Sequence, residues 1–218
     1  MTGLVEVRLR AAGAIAALAA AGACAQPVSP AEVLLFETDH LAELRAPATL
    51  VYDFRGHGDA PFTDTVRLDL AQRGGGTRAT VRFLSGERRY ELPQLDDARG
   101  NPVLLGFLER DIAQMGRLTG GSATYFRKRI RMALAAGAQV VAQPIAWHGK
   151  QVPARLVRIQ PYRDDPLHAR LERYAGKTYR FVLSDSVPGG VYQLGTALAD
   201  GAPDDETLTL VDALAQPR

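Results

Sequence analysis

Cysteine is almost absent from this chain: Cys24 is the only one in 218 residues. It stands at the end of a stretch that reads as a removable leader, so the mature protein is expected to contain none. That excludes a disulfide framework, a zinc–thiolate centre and a thiol nucleophile, and stability has to come from burial. Lysine is nearly as scarce, with Lys128, Lys150 and Lys177 standing against 23 arginines. Arginine grips carboxylates and phosphates in a planar fork, but the abundant Ala and Gly point to coding bias in a GC-rich genome. A large charge of either sign is also lacking. The formal net charge is +2, without the concentrated basic face that nucleic acid requires, and no nucleic-acid partner is expected.

The motifs that usually carry catalysis are missing too: nucleophile elbow, P-loop, dinucleotide fingerprint and zinc-binding helix. The four histidines, His40, His57, His148 and His168, lie far apart in the chain. His57 and Asp59 have a metal-ligating spacing, yet turns rich in Gly and Asp produce it by accident, and no further ligand is near. Asp39 and His40 fall on a predicted helix, where adjacent residues point apart. Asp204, Asp205 and Glu206 read as a solvated loop ahead of the last strand. No metal, no cofactor and no catalytic activity are expected.

What is present begins with the leader. Arg8 and Arg10 precede Ala11 to Ala23, a run of Ala, Gly, Ile and Leu. A basic start, a short apolar run and a small-x-small site make an export signal over residues 1–25, too short for a comfortable membrane span. Ala23-Cys24-Ala25 fits ordinary cleavage and a mature chain from Gln26. Alternatively, Cys24 becomes the acylated first residue of a lipoprotein, without the usual Leu three places earlier. The protein is therefore expected in the periplasm, soluble or lipid-anchored in the envelope through Cys24. With 46% hydrophobic and 23% charged residues, residues 26–218 form one globular domain with no linker long enough to divide it.

Ser29-Pro30 opens a predicted helix reaching about Arg45, with Ser29 as N-cap and Pro30 at the first helical position. From Thr49 to Leu92 the pattern changes to a period of two. Leu50, Tyr52 and Phe54 share one parity, as do Val66, Leu68 and Leu70, and then Val81 and Phe83. Alternation of this kind marks strands with one dry face, and Gly, Asp and Pro turns between them predict an antiparallel meander. Tyr90 and Leu92 extend that apolar face.

Asn101-Pro102 starts a second helix, with Val103, Leu104, Phe107, Leu108, Ile112, Met115 and Leu118 at helical spacing and a stop at Gly120-Gly121. Residues 124–136 suit either element. Phe126, Ile130 and Leu134 are spaced for a helix, Ile130, Met132 and Leu134 for a strand; the strand vocabulary that follows favours a strand. On it Arg127, Arg129 and Arg131 would line one face as an anion- or partner-gripping row, although a solvated face is the commoner fate of such charge. His148-Gly149-Lys150 predicts a hairpin tip, Asp164 to Gly176 a short helix, and Val187-Pro188-Gly189-Gly190 a type II turn. Strands at Tyr179–Leu183, Val191–Leu198 and Thr207–Val211 complete the sheet.

This order of elements, over Ser29 to Val211, resembles the periplasmic lipoprotein-carrier superfamily (LolA/LolB-like), and also other bacterial envelope proteins of similar length. The resemblance lies in architecture, not in a motif. It implies an α+β fold: a curved antiparallel sheet forming an open half-barrel, about three helices packed on or in its concave side, and an acyl-binding concave face. That family locks its lid with an arginine inside the barrel, and none of the 23 arginines here aligns with that role. The expected ligand-binding face is Leu50, Tyr52, Phe54, Val66, Leu68, Leu70, Val81 and Phe83, with Phe107, Leu108, Ile112 and Met115 as lid candidates. Expected partners are a lipid, an acylated protein or an envelope protein. A loosely covered face would admit an acyl chain; a tightly covered one is simply core.

Overall fold

The computed structural model describes residues 27–57, 60–199 and 203–215. Among them a nine-stranded sheet, antiparallel at every pairing, runs in the order β4-β3-β2-β1-β11-β10-β9-β8-β5 and does not close. Its strands are β1 (Ala48–Gly56), β2 (Phe62–Arg73), β3 (Gly76–Phe83), β4 (Leu95–Asp96), β5 (Gln139–Ala142), β8 (Arg155–Ile159), β9 (Thr178–Leu183), β10 (Val191–Ala197) and β11 (Asp204–Ala215). β6 (Ile145–Trp147) and β7 (Lys150–Val152) form a separate hairpin. The helices are α1 (Pro30–Glu32), α2 (Pro102–Thr119), α3 (Ala123–Gly137) and α4 (His168–Leu171). The fold is α+β with a curved open sheet, as expected, and no described helix is long and apolar enough to cross a membrane.

Register explains why the alternating residues converge. Leu210, Tyr52, Val66 and Phe83 stand opposite one another across four strands. One step along, Val157, Phe181, Leu194, Leu208 and Phe54 line up across five. Because the side-chain period is two, this register puts every one of them on the concave side. α2 packs into that side. Gly106, the first of its two glycines, marks a close approach: a Cβ there would sit 2.6 Å from Leu92 Cδ1 and 3.0 Å from Phe83 Cδ2.

Four expectations need correction. Residues 124–136 are helical, not extended. Ser122 caps α3 by accepting Tyr125 N–H, Phe126, Ile130 and Leu134 are buried, and Met132, which a strand would have turned inward, is half exposed. The first helix stops far short of Arg45. After α1, a π-turn at Val33–Glu37 ends where the Thr38 amide and hydroxyl both bond the Val33 carbonyl, each at 3.0 Å. Asp164 to Gly176 holds only α4 and a 3₁₀ turn, Glu172–Tyr174. Beyond Phe83, Tyr90 makes an isolated bridge, and the edge strand is Leu95–Asp96. The two turn expectations match. His148 and Gly149 both have positive φ between Trp147 and Lys150, and Gly189, at φ 74°, follows Pro188 in a turn closed by Gly190 N–H to Val187 O at 3.1 Å.

Candidate functional site

The eight residues expected to line the concave face do so, and all are buried, none more than 8% exposed. Phe107, Leu108, Ile112 and Met115 of α2 are buried as well. α2 covers the face tightly, so the same side chains serve as core.

α2 is held down by polar contacts as well as by apolar ones. At its N-terminus Asn101 accepts Val103 N–H at 3.1 Å and donates its amide to Tyr52 Oη at 2.9 Å and to Gly189 O at 2.8 Å. Its own N–H donates to His40 Nδ1 at 3.2 Å, while the other ring nitrogen, Nε2, lies 2.9 Å from Leu34 O. This arrangement suits the neutral ring with its proton on Nε2, and burial pushes the His40 pKa below its ordinary value.

Halfway along α2, Arg110 and Asp111 diverge. Arg110 reaches β11, where both terminal nitrogens donate to Glu206 at 2.6 and 2.9 Å, and its guanidinium lies 4.7 Å from the centre of the Phe54 ring. Asp111 reaches β9. It accepts from Lys177 Nζ and, at 2.5 Å, from Tyr179 Oη, which lies 3.0 Å from Tyr162 Oη. Lys177 and Asp111 are fully enclosed. Burial, reinforced by the Asp111 carboxylate, raises the pKa values of Tyr179 and Tyr162, so both hydroxyls stay protonated and able to donate. A buried carboxylate with a cation and a hydroxyl donor is satisfied, whereas one stripped of them is costly.

Glu206 therefore belongs to a strand and to a buried ion pair, not to a solvated loop, and Asp204 opens β11. Sequence reasoning missed this set of contacts, although Asp111 carried a signal. It lies four residues after Phe107 and three after Leu108, inside the apolar stripe where a carboxylate needs a partner.

The arginine row does not form. Arg127 makes a two-pronged pair with Glu109 of α2 at 2.7 and 2.6 Å, Arg129 Nε approaches Asp165 Oδ2 at 2.6 Å, and Arg131 is exposed. A helix turns these three side chains in different directions, where a strand would have aligned them. His57 Nε2 meets Thr207 Oγ1 at 3.3 Å. Asp59 and Cys24 lie outside the described residues, among which no group of three or more potential metal-binding side chains occurs. The class defined here is an open, curved antiparallel sheet with a helix clamped into its hollow. Neither a family model nor a curated protein matches the chain.

Proposed function

We propose that this is an exported periplasmic protein that binds a lipid, an acylated protein or another apolar ligand on the concave face, without catalysis, with α2 as a movable cover. One observation carries this function: a continuous apolar face lies beneath α2, a helix anchored at polar points. Loading requires α2 to leave the sheet. Opening returns Arg110, Glu206, Asp111 and Lys177 to water, and their regained hydration offsets part of the lost contact. A wholly apolar seam would offer no such return. Gly120, in the left-handed conformation at φ 71°, ends α2 at a position able to absorb a change of direction.

Native mass spectrometry of the full chain purified from the periplasm should show a co-purifying lipid, and a photoactivatable fatty acid should label peptides within residues 48–56 and 62–83. Repeated ligand-free spectra, with no label on those peptides, would overturn the proposal. Mass spectrometry of the mature N-terminus separates a chain starting at Gln26 from one acylated at Cys24.

A second function, an envelope interaction or scaffold module, would act through an exposed basic patch on α3 in place of the arginine row, and rests on Lys128 and Arg131. Both are exposed on α3, and neither forms an ion pair among the described residues. Partner capture unchanged when both become Ser would remove that surface.

A further inference from the structure

Where the second half of α3 passes the end of β8, an open cleft of about 480 Å³ is walled by Arg129, Arg158 and Arg163, with Gln139, Gln160 and a single carboxylate, Asp164. A smaller hollow of about 210 Å³ shares Arg129 and Met132 with it and continues past Tyr125, Lys128, Pro166 and Leu167. The first has a mixed wall, slightly more polar than apolar. The second is predominantly apolar, and Met132 and Leu167 on its wall are 49% and 41% exposed.

The central guanidinium is positioned by the fold. Arg129 Nε lies 2.6 Å from Asp165 Oδ2 and donates to Pro161 O at 3.2 Å. Asp165 is itself held by the Tyr125 hydroxyl and by Leu167 N–H. Among the described residues the two terminal nitrogens of Arg129 make no hydrogen bond, although the side chain is only 16% exposed. The Arg163 guanidinium hydrogen-bonds only the neutral Gln160 side chain, at 3.2 Å, and Lys128 has no ion pair among those residues. Asp165 balances Arg129, so Arg163 and Lys128 outweigh Asp164 and leave the double hollow positive. A fixed guanidinium with open donors matches the oxygens of a phosphate or carboxylate. An apolar wall directly beside it matches a chain attached to that anion.

We propose that this double hollow binds an anionic amphiphile, with its phosphate or carboxylate on Arg129 and Arg163 and the first part of its apolar chain across Met132 and Leu167. The site is distinct from the concave face and does not depend on α2 moving.

The test titrates the full chain with dodecyl phosphate below its micelle-forming concentration, with inorganic phosphate and with neutral dodecyl maltoside, following amide chemical shifts. Dodecyl phosphate should shift residues 125–133 and 160–167 and bind at least roughly tenfold more tightly than inorganic phosphate, since burying the start of the chain adds apolar area. The exposed pair Arg163→Gln and Lys128→Gln should weaken it roughly tenfold through lost charge-assisted contacts. Met132→Ser should weaken dodecyl phosphate several-fold and leave inorganic phosphate unchanged. Sedimentation with phosphatidylcholine vesicles containing phosphatidylglycerol separates the two sources. Co-sedimentation beyond that with phosphatidylcholine alone assigns a bilayer lipid, and its absence with monomer binding retained assigns a dispersed amphiphile. Equal affinity for inorganic phosphate, shifts confined to residues 50–54 and 66–70, or insensitivity to both sets of variants would overturn the site without touching the concave-face proposal.

Discussion

The Asn101 side chain donates to the Tyr52 hydroxyl at 2.9 Å, joining the first residue before α2 to the centre of β1. The same amide also reaches the turn between β9 and β10. One residue thus ties together three segments that are remote in sequence. Burial pushes the Tyr52 pKa well above the ordinary phenol value, so its hydroxyl stays neutral in this contact.

Asn101→Ala should therefore cost more than a missing cap. It removes the acceptor for Val103 N–H and leaves Tyr52 Oη and Gly189 O without the amide. A loss of about 3 kcal/mol is expected, from one cap and at least one stranded buried polar group. Urea denaturation monitored by circular dichroism measures it. A loss below about 0.5 kcal/mol would show that these bonds are replaced by water.

The enclosed pair Lys177 and Asp111 predicts a non-additive pattern. Lys177→Met alone strands the Asp111 charge, and Asp111→Leu alone strands the Lys177 charge; each should cost about 3–5 kcal/mol. The double replacement should recover much of that, because an apolar pair of similar volume needs no hydration. A double-mutant cycle in urea reads the coupling, and simple additivity of the two losses would refute it.

His40 predicts a pH dependence with a definite sign. Its pKa is lowered by burial in the folded protein, so the unfolded chain takes up the proton first. Stability is complete above the unfolded value of about 6.5 and falls as pH drops below it, levelling off below the folded pKa. Melting temperature should decline from pH 7.5 to 5.5, and His40→Gln should flatten that slope. An unaltered slope in the variant would assign it to other groups.

The three arginines of α3 should behave differently. Arg127 and Arg131 are exposed, and changing either to Ser should move stability by no more than about 0.5 kcal/mol. Arg129→Ser leaves the fully enclosed Asp165 carboxylate without its cation and should cost about 3 kcal/mol. Equal effects at all three positions would contradict their separate environments.

Much of the sheet was legible because alternation is a local property. Leu50, Tyr52 and Phe54 declare their shared face without reference to any partner strand, and so do Val66, Leu68 and Leu70. Asn101-Pro102 and Ser29-Pro30 likewise announced helix starts, since capping involves residues only two or three apart. Residues 124–136 were not decidable in this way. Phe126, Ile130 and Leu134 satisfy both periods, and it is the exposure of Met132, which a strand would have placed on the same face, that separates them. The extent of the first helix was equally hidden, because the Thr38 contacts that close it leave no mark in hydrophobic spacing.

By itself the chain's order of residues determined two-faced strands and capped helices. Each follows from neighbours within a few positions. Tertiary structure alone decided that α2 fills the hollow, that Asp111 meets Lys177 sixty-six residues away, and that Arg129 turns toward Asp165 while Arg127 and Arg131 do not. Those outcomes depend on which surfaces meet once the sheet has curved, and a buried charge can be partnered only by whatever that meeting brings within reach.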